Sequence, residues 1–300
     1  MPTISTTLCN MKLRNPTILA SGILGTAGSS LKRVIEKGGA GAVVTKSIST
    51  APMEGHKNPS VIPLEDGLIN AIGLSNPGYE AFKEEIAVAK EGGAPVIGSV
   101  FGSSKEEFAE VAGALESYGV DALELNLSCP NVKGARYAQD AELSRGVIEE
   151  VKGKVKIPVI AKLTAEVRDL REIARACASA GCDGITAINT LRAMKIEVKA
   201  KAPVLGNKIG GLSGSAIKPI AVRCVYEIAS EVEVPVIGCG GITTGEDALE
   251  FLMAGASAVQ IGTGVYSRGI SIFNKVSREI QEFMEEEGYS NVEEIIGAAL

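Results

Sequence analysis

The sequence predicts an α/β chain folded as a closed parallel (β/α)8 TIM barrel, on three observations. Short apolar runs alternate with helical patterns along nearly all of the 300 residues, as strand–helix units require. The helix-to-strand joints repeat one theme, EKGGAGAVV, ESYGVDALEL, SAGCDGITAI and MAGASAVQI, in which a Gly suited to a left-handed helix end leads into a buried strand. Eight such strands favour ring closure over an open doubly wound sheet. The open alternative lacks a GxGxxG turn after its first strand.

The strands are read in order as Thr17–Ala20, Ala42–Thr45, Pro95–Val100, Ala122–Asn126, Pro158–Lys162, Gly184–Ile188, Pro235–Ile237 and Ala258–Ile261. Each is a short apolar or β-branched run bounded by turn residues. Helical spacing is read at Ser29–Lys37, Tyr79–Glu91, Lys105–Tyr118, Asp140–Val151, Asp169–Ala180, Ser215–Ser230, Glu246–Met253 and Ile270–Glu287, from apolar residues recurring at three- and four-residue intervals. Two connections, Ser47–Asn76 and Arg192–Ser213, are too long for ordinary βα loops. They are expected to build lid loops or a small accessory sheet on the barrel top. Neither resembles a linker, so residues 1–300 are expected to form a single domain,.

Composition narrows the function. A net charge of -6 argues against a broad basic footprint for nucleic acid,. No run of 18 apolar residues and no signal-like start is present, so neither a membrane span nor secretion is expected. Six cysteines without a CxxC pair, and one histidine, argue against zinc and iron–sulfur sites,; no metal is expected. The cysteines read as reduced cytoplasmic thiols, with Cys177, Cys182 and Cys239 as packing residues,.

In such a barrel the active site forms at the C-terminal strand ends. Polar residues there are Lys46, Asn126, Ser128, Cys129, Asn131, Lys162, Thr164, Asn189 and Thr190. Two glycine clusters, GCGGI at Gly238–Ile242 and GTG at Gly262–Gly264, follow strands seven and eight, where barrels commonly bind phosphate through backbone N–H groups. Lysines ending apolar strands are expensive to bury without an anion. Lys46 and Lys162 therefore face a cofactor or substrate, or form structural ion pairs; Lys162 is also open to a Schiff-base role,. Cys129, in LNLSCPNVKG, sits in a shaped loop as a nucleophile, a general base or a buried thiol,. His56 lies in a long loop, in a solvated or lid position.

LRNPTILASG, VVTKSIS, LINAIGLSNPG, LELNLSCPNVKG, VIAKLT, INT, GGLSG, IGCGGI and VQIGTG recur in one order across almost the whole chain. By these stretches the chain resembles the class 1 dihydroorotate dehydrogenases, most of all the class 1B catalytic subunit. The resemblance implies FMN-dependent oxidation of dihydroorotate to orotate in pyrimidine biosynthesis, with Cys129 as general base and hydride transfer to FMN. It implies FMN contacts at Ala20, Ser21, Gly22, Lys46, Asn126, Lys162, Ile188, Gly214, Gly240, Gly241, Gly262 and Thr263. It implies orotate contacts at Lys46, Asn70, Gly73, Leu74, Asn131, Asn189 and Thr190. It further implies a homodimeric core joined to an electron-transfer subunit carrying FAD and a 2Fe-2S cluster, in a cytoplasmic heterotetramer that passes electrons to NAD.

The chain departs from the family pattern in three places. KGARYAQD is less glycine-rich than the family loop, His56 is an addition, and Ser99 stands where an Asn near the flavin is expected. Rival readings are a dihydropyrimidine dehydrogenase-like flavoenzyme, a fumarate-dependent class 1A enzyme, an RNA dihydrouridine synthase and an aldolase. The first two differ from class 1B in substrate and electron acceptor. The third calls for a basic surface, and the fourth for a colourless protein trapped by borohydride.

Overall fold

The computed structural model describes residues 2–128 and 137–300. Its centre is a closed eight-stranded parallel barrel. The strands are β1 (Thr17–Leu19), β2 (Ala42–Val44), β3 (Val96–Val100), β4 (Ala122–Asn126), β5 (Val159–Lys162), β6 (Gly184–Ala187), β7 (Val236–Cys239) and β8 (Ala256–Ile261). Each pairs with its neighbours in sequence, and β8 closes on β1 through Val259–Thr17 and Ile261–Leu19. The Gly at four helix-to-strand joints is left-handed, with φ of 81° at Gly39, 89° at Gly119, 88° at Gly181 and 102° at Gly255. This is the conformation that only Gly adopts without a Cβ penalty.

The surrounding helices are α1 (Gly28–Arg33), α2 (Lys83–Lys90), α3 (Lys105–Ser117), α4 (Ala141–Lys154), α5 (Leu170–Ser179), α6 (Lys218–Ala229), α7 (Gly245–Met253), a short α8 (Gly264–Arg268) and α9 (Ile272–Glu287). Their starts are fixed by side chains that satisfy otherwise unpaired N–H groups. Asp140 accepts from Leu143 N, Asp169 from Arg171 N and Glu172 N, and Thr244 with Asp247 forms a capping box on α7. The sequence spans beginning at Asp140 and Asp169 thus open on caps. Helix α9 buries Ile272, Phe273, Val276, Ile280 and Met284, one stripe against the barrel.

Two features lie outside the (β/α) repeat. A hairpin of Thr6–Leu8 and Met11–Leu13 packs Leu8, Cys9, Met11 and Leu13 against Ile18, Ala42, Val44, Ile97, Ala122, Ile160, Ile237 and Ala258. It seals the N-terminal end of the barrel with apolar side chains. At the other end, the two long connections meet in one antiparallel sheet ordered Leu191–Ala193, Gly210–Ser213, Gly67–Asn70 and Val61–Leu64. This is the small accessory sheet expected on the barrel top. A further hairpin, Ile196–Glu197 with Ala202–Pro203, extends from it.

Candidate active site

Side chains alternate along a strand, so residues two apart share a face. Inward positions of the barrel therefore stack in layers. The lowest are apolar, with Ile18, Val44, Ile97, Ile160 and Ile237 in the core beside the hairpin. Two residues further along β4, β5 and β8, the interior becomes polar: Glu124, Lys162 and Gln260 are at most 5% exposed. Lys162 Nζ donates to Glu124 Oε1 at 3.2 Å and to Gln260 Oε1 at 2.8 Å. Glu124 Oε2 accepts from Thr186 Oγ1 at 3.0 Å and from the Gln260 amide. Burial alone would lower the Lys162 pKa, but the charge and hydrogen bond of Glu124, together with the neighbouring Cys239, outweigh it and leave the ammonium above its ordinary value,. Lys162 is ion-paired, and it also lines the floor of the cavity above.

That cavity, of about 490 Å³, lies between the strand ends and the accessory sheet, within the range of roughly 300–1,000 Å³ of small-molecule sites. Among the described residues, every expected cofactor contact lines it: Ala20, Ser21, Gly22, Lys46, Asn126, Lys162, Ile188, Gly214, Gly240, Gly241, Gly262 and Thr263. Asn70, Gly73, Leu74, Asn189 and Thr190, expected around the substrate, line it as well. Cys129 and Asn131 lie outside the described residues.

The amides are held by a hydrogen-bond chain. Ser99 Oγ and Ser47 Oγ are 2.9 Å apart, and Asn126 Nδ2 donates to Ser47 Oγ at 3.1 Å. Ser128 Oγ donates to Asn126 Oδ1 at 3.2 Å, and Asn189 Nδ2 donates to Ser128 Oγ at 2.6 Å. From the accessory sheet, Asn70 Nδ2 donates to Gly211 O at 3.2 Å. Asn126 and Asn189 are thus oriented before any ligand arrives, which lowers the ordering cost of binding. Ser99 is fully buried and does not line the cavity; it acts one layer back, through Ser47.

At the β7 and β8 ends the wall is glycine backbone. Thr263 Oγ1 donates to Ser213 Oγ at 2.7 Å, joining the β8 end to the accessory sheet. Asp247 accepts from Thr243 N, Thr243 Oγ1 and Thr244 N at 2.8–2.9 Å and pairs with Lys218 at 2.7 Å, bracing the loop that follows Gly241. Burial opposes that charge, yet Lys218 and the Thr243–Thr244 donors hold the Asp247 carboxyl down at about 2.

Sequence reasoning missed several participants. Glu124 and Gln260 were absent from the expected contacts, although a charge or amide inside ALELN and SAVQIG is a signal in a strand buried on both faces. Cys239, read as a space-filler, lines the cavity next to Lys162, and burial pushes its thiol up. His56 is part of the lid wall, with Nδ1 buried and unpartnered among the described residues. No group of metal-ligating side chains occurs among the described residues, and no described helix is long and apolar enough to cross a membrane.

The chain shares its fold with a crystal structure described as DHODH in complex with ferulenol from Eimeria tenella. The TM-score is 0.87 at 23% identity, covering 100% of this chain and 89% of that one. Closer relatives in sequence carry the name dihydroorotate dehydrogenase B (NAD(+)), catalytic subunit. The protein from Methanocaldococcus jannaschii is 52% identical over 99% of this chain and 98% of its own length. That from Pyrococcus abyssi is 52% identical over 98% of both, and that from Thermoplasma volcanium 49% identical over 100% and 99%. The family profile described as Dihydroorotate dehydrogenase matches residues 3–284. On this likeness, and on a barrel whose strand ends carry the family's motifs into one cavity, the chain belongs to the dihydroorotate dehydrogenase family, among its B-type catalytic subunits.

Proposed function

We propose that this chain oxidises dihydroorotate to orotate with bound FMN, in pyrimidine biosynthesis, as the cytoplasmic catalytic subunit of an NAD-linked enzyme, with residues 1–300 as one flavin-binding domain. The observation that carries the reading is the convergence of Lys46, Asn70, Asn126, Asn189 and Thr190 on a cavity with Lys162 at its floor. The cavity fits FMN on its own evidence. Gly22 and Gly262 line its wall, and a Cβ at Gly22 would meet nothing within 4 Å, so the backbone there stands open to a ligand. Its floor offers a cation, and its glycine ends offer backbone N–H groups of the kind that hold phosphate.

When bound, FMN supplies the acceptor for the hydride that leaves C6 of the substrate. The rest of the task falls to the chain. Lys46, 8% exposed at the end of β2, offsets the negative charge of the substrate carboxylate. The Asn70, Asn189 and Asn131 amides each donate and accept, matching the carbonyl and N–H edges of a planar ring. Asn126, fixed by Ser47 and Ser128, and Lys162, fixed by Glu124 and Gln260, face the cofactor side. The Val61–Leu64 and Gly67–Asn70 strands roof the cavity and exclude water from the reacting atoms. Cys129 takes the C5 proton, the role the family assigns to the cysteine of SCPN.

The partner reading rests on the likeness to class 1B. The chain forms a homodimeric core and binds an electron-transfer subunit bearing FAD and a 2Fe-2S cluster. That these 300 residues carry no CxxC pair and no GxGxxG after the first strand fits a route to NAD through another chain,. The test is anaerobic addition of dihydroorotate to the purified yellow protein. The flavin band bleaches in the wild type, and Cys129→Ala keeps its FMN but bleaches about 10²–10⁴-fold more slowly. A wild-type spectrum untouched by dihydroorotate overturns the activity; wild-type speed in Cys129→Ala overturns the base.

A further inference from the structure

The buried layer beneath the cavity holds a carboxylate, Glu124, to which the family resemblance assigns no contact and the proposed mechanism gives no role beyond fixing Lys162. Glu124 is fully buried, inside a barrel whose lower layers are apolar. An isolated carboxylate there is costly. It persists because three groups from three other strands close on it: Lys162 from β5, Thr186 from β6 and Gln260 from β8. Gln260 is oriented by both charges at once, since its Oε1 accepts from Lys162 at 2.8 Å while its Nε2 donates to Glu124. The amide has only one orientation that serves both.

We propose that Glu124 is a positioning residue which, with Gln260, holds the Lys162 ammonium charged and aimed at the cavity floor, and so sets the electrostatic field on the flavin ring. The inference rests on the FMN reading above. Three ionisable groups share this part of the interior: Glu124 on β4, Lys162 on β5 and Cys239 on β7; Lys46, past the end of β2, and Arg192, from the accessory sheet, are further cations on the cavity wall, which His56 and Glu166 also line. Burial pushes Cys239 toward its neutral thiol, which leaves Glu124 as the anion that answers Lys162. Without it, burial prevails and the lysine gives up its proton at a lower pH. A fixed cation beside a ring that gains electrons favours the reduced form. Losing that cation lowers the midpoint potential.

The experiment is the midpoint potential of bound FMN against pH in holo wild type, Glu124→Gln, Lys162→Met and the double variant. In Glu124→Gln the potential lies at or above wild type at low pH, because an anion has been removed while Lys162 is still charged. As pH rises it falls away from wild type and converges on Lys162→Met. The double variant follows Lys162→Met throughout. A Glu124→Gln curve that runs parallel to wild type at all pH overturns the proposal, and so does the same pH-dependent fall in the Lys162→Met background. Should Glu124→Gln not retain FMN, Glu124→Met, which removes the same anion at a similar side-chain length, is read in its place, and a curve parallel to wild type again overturns the proposal. Failure of the wild type to bind FMN at all is a different result, and sinks the cofactor reading instead.

Discussion

Replacing Gly262 and Gly241 by Ala separates a wall that receives the cofactor from a wall that holds itself up. A Cβ at Gly262 would meet only Ala20 Cβ at 3.5 Å and Ile23 Cγ1 at 3.7 Å, ordinary contact distances, with all three residues on the cavity surface. The backbone there is not left-handed. Gly262→Ala should therefore fold as well as wild type, or gain about 0.4–1 kcal/mol from a less flexible unfolded chain. Its methyl group instead holds the FMN phosphate off the backbone. Losing one charge-assisted hydrogen bond costs about 1.5–3 kcal/mol, or about 10- to 150-fold in affinity.

Gly241 is the opposite case. Its φ is +80°, and a Cβ would lie 2.8 Å from both Gly214 O and Lys218 Cβ. The left-handed backbone alone costs a non-Gly residue about 1–2 kcal/mol, before the two contacts are relieved. At roughly 2–4 °C per kcal/mol for a large domain, Gly241→Ala should unfold several degrees below wild type even without FMN. Thermal unfolding of the apoproteins and fluorescence titration with FMN read the two effects apart. Wild-type FMN affinity in Gly262→Ala, or equal destabilisation of both apoproteins, would refute the phosphate wall at the β8 end.

Two further outcomes are expected. The Asp247 carboxyl, held at about 2 against an ordinary 3.8, contributes stability that is present above pH 3.8 and fades as pH falls through about 2, on the order of 1–2 kcal/mol after solvent screening; the gap in unfolding temperature between wild type and Asp247→Asn should narrow over that window, and a constant gap would contradict it. For the acceptor, the isolated chain should turn over slowly with fumarate and acquire NAD-dependent activity with its co-purifying partner; fast fumarate turnover with no gain from any partner would reassign it as a class 1A enzyme.

The parts of the fold that were legible in the sequence are those with a repeating local cause. Each barrel strand is a short apolar run, and those entered through Gly39, Gly119, Gly181 and Gly255 follow a left-handed Gly, so the signature lies within a dozen residues. The N-terminal hairpin has no such signature. Its strands are three residues each, and its turn at Cys9 and Asn10, with φ of 47° and 64°, is left-handed without a Gly. Only the apolar barrel end it covers explains it. The same division runs through the site. Lys46 and Lys162 stand out because a lysine ending an apolar strand needs an anion, whatever the fold. Which anion is another matter: Glu124 lies 38 residues before Lys162 and Gln260 98 residues after it. Closure of the barrel brings them together, since it alone makes β4, β5, β6 and β8 face one axis. The usable rule is positional. In a strand buried on both faces, a polar side chain two residues before the cavity-lining residue lies beneath it rather than against the ligand, as Glu124 does before Asn126 and Gln260 before Gly262. Such residues act on the ligand through the groups above them, so substituting them should alter the field and the charge state of the site while leaving its shape in place.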